Sequence, residues 1–220
     1  MFQHLPECVS TFGPDIDSVL YLIYYIVGAW FLLAEAVVVY CAIRFRQGRQ
    51  PTASYLPGTT RKALAWIVVP AVLILVCDLF IDAEGGRVWR NVKETIPPAD
   101  VTIRITARQF AWQFTHPGPD NVLDTRDDII TNGHLHVPVN KVVRFDLGSL
   151  DVIHSFYSPS LRLKQDAVPG RTIRGWFQVT RTGEFPIACA ELCGVAHTVM
   201  QGTLVVHTES EYRQWSLNQQ

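Results

Sequence analysis

The sequence predicts a membrane-embedded helical hairpin followed by an all-β domain, and three observations predict it. Two long apolar runs occupy most of the first 81 residues. The chain between them is basic and carries no acid. Beyond residue 100 the hydrophobic period falls to two, in short segments separated by glycine-containing turns.

The first run, Ser18 to Ile43, is interrupted only by Glu35, and the second, Ala63 to Ile81, is apolar except for Asp78 near its end. Each is long enough to cross roughly 30 Å of hydrocarbon, for which about 20 helical residues suffice. A signal peptide is the rival reading of the first run. It calls for a basic leader, a shorter apolar core and a small-residue cleavage site. The preceding residues instead carry Glu7, Asp15 and Asp17 and no lysine or arginine, so the first run is expected to persist as a span. Arg44, Arg46, Arg49, Arg61 and Lys62 lie between the runs. By the positive-inside rule this loop is cytoplasmic, and the amino terminus and everything after Ile81 lie outside. On that topology Glu35 is assigned to the outer half of its span.

A polar connector, Asp82 to Asp100, leads into Val101-Thr-Ile-Arg-Ile-Thr-Ala, which alternates strictly. Phe110, Trp112 and Phe114 continue the same period. Further strands are expected at 135–138, 142–147, 172–180, 184–188 and 202–207, with turns at Asn132-Gly133, Pro169-Gly170 and Thr182-Gly183. That many short strands imply a sandwich or barrel. Thr208-Glu-Ser-Glu211 is a capping-box pattern that opens a short helix through Trp215. The expected divisions are 1–82, 83–100, 101–208 and 209–220, with spans at about 18–43 and 63–81.

From Ala83 onward fourteen acids balance fourteen bases. A nucleic-acid partner, which calls for a basic stripe, is not expected. Of five cysteines, Cys41 and Cys77 lie in the spans and Cys8 stands near the terminus, leaving Cys189 and Cys193 as the pair. They belong to Cys189-Ala-Glu-Leu-Cys-Gly-Val-Ala-His-Thr-Val-Met200, where Met200 is the only methionine besides the initiator. Thiolate, thioether and imidazole together select copper over hard cations. A further histidine must come from elsewhere, and His154, in Asp151-Val-Ile-His-Ser-Phe-Tyr-Ser-Pro159, is the candidate. The structural alternatives are a disulfide between Cys189 and Cys193, or two buried thiols beside an ordinary histidine.

These residues resemble one family, subunit II of heme-copper cytochrome c oxidases. The resemblance runs over nearly the whole chain and is carried by Cys-x-Glu-x-Cys-x-x-x-His-x-x-Met, by His154, by Leu163-Lys-Gln-Asp-Ala-Val-Pro-Gly-Arg171 and by Trp66 to Pro70. It implies an extracytoplasmic cupredoxin-like Greek-key β-barrel holding a binuclear mixed-valence copper centre, CuA. Cys189 and Cys193 would bridge the coppers, His154 and His197 would each ligate one, Met200 would bind weakly, and the Glu191 carbonyl would complete the set. Two coppers sharing thiolates spread one electron and move little on its transfer. The Glu191 carboxylate would reach a magnesium or manganese ion shared with the catalytic subunit, a hard ligand for a hard ion; the alternative is a partly solvated acid.

Asp166 and Arg171 resemble positions facing the catalytic subunit, and a local ion pair is their structural alternative. The implied partners are the heme-bearing catalytic subunit, other oxidase subunits, the bilayer, and cytochrome c or another external donor. The membrane is a bacterial plasma membrane or a mitochondrial inner membrane. Two departures stand out. Phe110 occupies the place where many members carry the tryptophan that receives electrons, leaving Phe110 or Trp112 for that task, although aromatics at period two are usually core. Ala63 stands where many members have a proton-path glutamate. The acidic loop Asp120 to Asp128 reads as a solvated turn, and His4, His116, His134, His136 and His207 carry no motif.

Two rival functions are weaker. Nitrous-oxide reduction would need a large propeller domain for which no residues remain. A membrane-tethered copper carrier would need Met- and His-rich tracts.

Overall fold

The computed structural model describes residues 5–46, 48 and 57–219, so that Arg49 of the basic loop, His4 and Gln220 lie outside the described residues. The chain divides into two compact units, one of Asp15–Trp89 and one of Met1–Pro14 with Arg90–Gln220.

In the first unit, α1 (Gly13–Arg44) and α2 (Arg61–Trp89) are both longer than their apolar runs. Their best windows reach mean hydropathies of 2.2 and 2.7 with none of the window buried. A core helix of a soluble protein would hide such a surface. Here Leu32 is 68% and Trp66 83% exposed, which water would penalise and lipid would not. Pro70 lies within α2, a position tolerated in spanning helices. Glu35 sits nine residues from Arg44 and twenty-two from Gly13, about 13 Å and 33 Å along the axis. On the topology expected from the positive-inside rule, Glu35 therefore belongs to the inner half of its span, not the outer half.

A turn of π-helix, Arg90–Glu94, follows α2 within the segment read from the sequence as a polar connector. Ten strands follow: β1 (Val101–Arg108), β2 (Ala111–His116), β3 (Ile129–Asn132), β4 (His134–Pro138), β5 (Val142–Ser149), β6 (His154–Ser158), β7 (Leu163–Ala167), β8 (Ile173–Gln178), β9 (Gly183–Cys189) and β10 (Gln201–His207). They form two five-stranded sheets, ordered β3-β2-β1-β5-β8 and β4-β10-β9-β6-β7. The expected fold class is present, an apolar helix pair and a cupredoxin-like β domain, with two sheets in place of one closed barrel. Pairing is mostly antiparallel, but β1 runs parallel to β5 and β4 parallel to β10.

The core follows from strand alternation. Val101, Ile103, Ile105 and Ala107 of β1 are buried, as are Val143, Phe145 and Leu147 of β5. Phe185, Ile187 and Cys189 of β9 belong to the same inward set, so strand period alone turns the Cys189 thiol into the interior. Gly175, on β8 opposite Phe145, has no room for a side chain, because a Cβ there would overlap the Phe145 ring. Residues before α1 form a strap on the β domain. Val9 donates to Ser160 O at 2.8 Å and accepts from Thr180 N–H at 2.8 Å. The Ser10 hydroxyl donates to Leu161 O at 2.8 Å. Glu7 pairs with Arg181, and Phe12 meets Trp176 edge-on at 5.4 Å.

α3 (Glu209–Leu217) closes the chain with the expected capping box, Thr208 Oγ1 accepting from Glu211 N–H and the Glu211 carboxylate accepting from Thr208 N–H. Gly175→Ala is expected to destabilise the β domain by about 1–3 kcal/mol through overpacking. Adding Phe145→Leu should recover part of that loss, as checked by equilibrium unfolding of both variants; strictly additive costs would show that the two sites do not touch.

Candidate metal centre

The centre is built where β6 runs beside β9. Their antiparallel register sets Phe156 opposite Cys189, and Ala190 N–H donates to Ser155 O at 3.0 Å. Two residues before Phe156, on the same inward face, is His154. No strand is expected from the sequence between 148 and 171; His154 is the first residue of β6 and is fully buried. Its Nδ1 lies 3.8 Å from Cys189 Sγ.

After Cys189 the chain turns back through residues 190–200. Cys189 N–H donates to Met200 O at 3.1 Å, His197 N–H to Gly194 O at 3.1 Å, and Met200 N–H to His197 O at 3.2 Å. This compact loop brings Cys193 Sγ to 3.8 Å from Cys189 Sγ, to 3.6 Å from His197 Nδ1 and to 3.9 Å from Met200 Sδ. Cys189 Sγ points at the Glu191 carbonyl, 3.3 Å away. Each thiol thus has one imidazole beside it, with the thioether next to Cys193 and the carbonyl next to Cys189. His154, Cys189 and Cys193 each offer a ligand atom within 4.8 Å of the others.

Both cysteines are free, and their sulfurs stand well beyond the ~2.05 Å of a disulfide. Cys189, Cys193, His154 and Met200 are buried, while His197 is half-buried and the Glu191 side chain exposed. Burial, together with its proximity to Cys189, pushes the Cys193 thiol up to about 11. Two buried thiols, a thioether and two imidazoles facing one another fit a soft metal ion, whose charge would replace the protons lost on binding.

Three residues that sequence reasoning did not single out hold this arrangement. Asp151 Oδ1 lies 2.8 Å from His154 Nε2, which directs the His154 Nδ1 lone pair at the sulfurs. Partial burial pushes the Asp151 carboxyl up, but the Gln109 N–H, the His154 ring and the Val152 N–H together hold it down at about 2. Gln109 also donates its side-chain amide to Cys193 O at 2.5 Å. Gly194, at φ +141°, lies against that amide and the Phe110 ring, where a Cβ would come within 2.7 Å and 3.0 Å. The only sequence signal for Asp151 is its place three residues before His154; nothing local marks Gln109 or Gly194.

The other candidate residues separate. Trp112 is fully buried and meets Phe156 at 5.6 Å and His154 at 6.3 Å, both edge-on. Phe110 is half-buried at the surface end of the same run. Asp166 is hydrogen-bonded by Lys164 at 2.9 Å, which holds its carboxyl below the usual range. Arg171 is exposed and borders a cleft of about 240 Å³ with Arg104, Asp146 and Ser149. No ion pair joins Asp166 to Arg171 among the described residues. In the acidic loop, Arg104 grips Asp124 with two hydrogen bonds of 2.8 Å, and Asp120 and Asp128 accept from backbone N–H groups.

Residues 121–208 match the family model described as cytochrome c oxidase subunit II, periplasmic domain. The chain is 35% identical to the alternative cytochrome c oxidase subunit 2 of Bradyrhizobium diazoefficiens over 94% of this chain and 81% of that protein. It is 31% identical to cytochrome c oxidase subunit 2 of Cereibacter sphaeroides over 86% and 71% of the respective chains. The solved periplasmic domain of cytochrome oxidase subunit II from Bradyrhizobium japonicum is 33% identical, with a TM-score of 0.49, covering 57% of this chain and 96% of that one. A two-cysteine, two-histidine, one-methionine cluster on a β domain behind two apolar helices, with relatedness of this extent, has one reading: the chain belongs to the cytochrome c oxidase subunit II family.

Proposed function

We propose that this chain is the electron-receiving subunit of a heme-copper oxidase, its cluster holding a binuclear CuA centre that takes electrons singly from an external donor for transfer to heme in the catalytic subunit, which reduces oxygen to water with proton translocation. One observation carries the reading: two thiols, each with an imidazole Nδ1 within 3.8 Å, converge with a thioether and a carbonyl. Four donors would satisfy one ion; six around two bridging-capable sulfurs suit a pair.

The chain's own residues then divide the work. Cys189 and Cys193 would supply the thiolates, His154 and His197 would bind through Nδ1, and Met200 and the Glu191 carbonyl would supply weak contacts. The exposed Glu191 carboxylate is free to meet a magnesium or manganese ion at the catalytic subunit. Phe110 receives the donor, a cytochrome c or similar protein, over Gly194, and buried Trp112 packs between that surface and the His154 ring. Asp166 and Arg171, which do not satisfy each other, face the catalytic subunit. Both termini and the β domain lie outside the cytoplasm of a bacterial plasma membrane. The strap supports that topology, because the residues preceding α1 pair directly with the β domain, so an even number of spans must separate them.

Loading the full chain with copper in detergent should give two coppers per chain and a paramagnetic resonance pattern of one electron shared by both nuclei, lost in Cys193→Ser. One labile copper with a single-ion signal would overturn the relay and favour a copper carrier. Asp151→Asn should lower copper affinity about 10–100-fold by freeing the His154 ring, measured by chelator competition; unchanged affinity would reduce Asp151 to a loop cap. Because binding must expel thiol protons and burial pushes the Cys193 thiol up to about 11, apparent copper affinity should rise continuously from pH 6 to pH 9. A flat profile would mean that no thiol proton is displaced.

A further inference from the structure

Four of the seven histidines gather under α3, away from the metal centre. The parallel register of β4 with β10, Val205 opposite His136 and Thr203 opposite His134, puts His134, His136 and His207 on one sheet face. His116 of β2 joins them, its ring 6.1 Å from that of His136. Trp215 of α3 stacks on His136 at 4.3 Å and 15°, meets His116 edge-on at 5.1 Å, and lies 6.2 Å from His207. Tyr212, one turn earlier, lies 6.4 Å from His207. The aromatic face of the C-terminal helix is therefore seated on imidazoles.

The hydrogen bond between His136 and His207 requires that at least one of the two rings be neutral. His136 Nδ1 and His207 Nε2 are 2.8 Å apart. One nitrogen must donate and the other accept; with both rings charged, both would carry protons and the bond would become a repulsion. The Thr131 hydroxyl donates to His134 O at 2.5 Å, so it accepts from His116 Nε2–H at 3.2 Å. That tautomer leaves His116 Nδ1 as a lone pair, fully buried and without a hydrogen-bond partner among the described residues. A proton added there would make a buried cation that only the His136 backbone helps to hold.

We propose that this imidazole group is an acid-released latch, holding α3 on the β domain while the rings are neutral and releasing it when they take up protons. Every neighbouring group bears on the balance. Burial holds His116 down at about 3, helped by His136 and His207 and opposed by the His136 backbone. Burial, then His207 and His134, holds His136 down at about 4. Burial lowers His207 too, with Glu211 of α3 pulling the other way. Burial pushes the Tyr212 phenol up to about 12, so it stays neutral. Glu209 is engaged by Arg213 at 2.6 Å and Lys141 at 3.8 Å. A charged imidazole over the Trp215 face would gain a cation–π attraction, but adjacent rings in one buried group lose more to desolvation and mutual repulsion.

The sign follows. The free imidazole value is near 6.5, and the docked His116 and His136 rings are held well below it. Docking is complete above about pH 6.5, weakens as pH falls through that value, and levels off near pH 3–4. For His136 alone, docking weakens on the order of a hundredfold by pH 4.

Amide hydrogen exchange of the full chain in nanodiscs at pH 7, 5.5 and 4, corrected for intrinsic rates, tests the latch. Residues 209–217 should lose protection tenfold to a hundredfold by pH 4, reversibly, while β1 and β5 stay protected. His136→Phe, which keeps a ring beneath Trp215, should remove most of that pH dependence, and His207→Gln, at a half-buried position, should reduce it. Unchanged protection at pH 4, equal losses in wild type and both variants, or simultaneous opening of the sandwich would overturn the latch.

Discussion

The antiparallel pairing of β6 with β9 is the contact on which the metal centre depends. It places Phe156 opposite Cys189 and, two residues away on the same face, brings the His154 imidazole to the Cys189 sulfur. A one-residue slip would turn His154 and Cys189 to opposite faces of the sheet, because side chains alternate strictly along a strand. The register is held from both sides. β7 pairs with β6 from His154 to Ser158, and β10 pairs with β9 from Gly183 to Ala188. Phe156 anchors the inner face between Trp112 and Phe145. A packed core thus fixes the proposed ligands, as the low-reorganisation site proposed above would require.

The electrostatics of the pocket complement that rigidity. Burial favours the protonated Cys193 thiol, so that side chain can be buried without a compensating cation. A metal ion reverses the balance, since its charge stabilises the thiolates in a medium that screens poorly. Asp151 stands at the rim, partly in water, where its ionised form is supported by backbone N–H groups as well as by His154. The one permanent negative charge touching the ligands is therefore kept on the outer side of an imidazole, where it can orient the ring without facing the sulfurs.

Both ends of the chain are clamped to the β domain, by different chemistry. The amino-terminal strap uses backbone hydrogen bonds, the Glu7–Arg181 pair and the Phe12–Trp176 contact, none of which depends on pH near neutrality. The carboxy-terminal helix instead rests Trp215 and Tyr212 on imidazoles, the one side chain whose charge changes in the physiological range. Of the two clamps, only the second is conditional.

Local pattern was enough to read the apolar runs, the alternation of β1 and β5, the capping box of α3 and the soft ligand cluster from Cys189 to Met200, because each is a property of neighbouring residues. The short strands β3, β6 and β7 were not legible. β6, His-Ser-Phe-Tyr-Ser, is buried on both faces over His154 to Phe156 and shows no alternation, and β7 contains Lys164, Gln165 and Asp166. Their strand state comes from pairing with β9 and with each other, which no window of sequence contains. The same holds for Asp151, Gln109 and Gly194, whose roles depend on partners up to 84 residues away, and for the four histidines, which share no motif until β2, β4 and β10 bring them under Trp215. The sequence by itself determined which atoms could bind a soft metal and which segments could enter lipid. Tertiary structure alone decided where the remaining histidine would stand, what would orient it, and which rings would meet at the end of the chain, because those depend on register between strands distant in sequence.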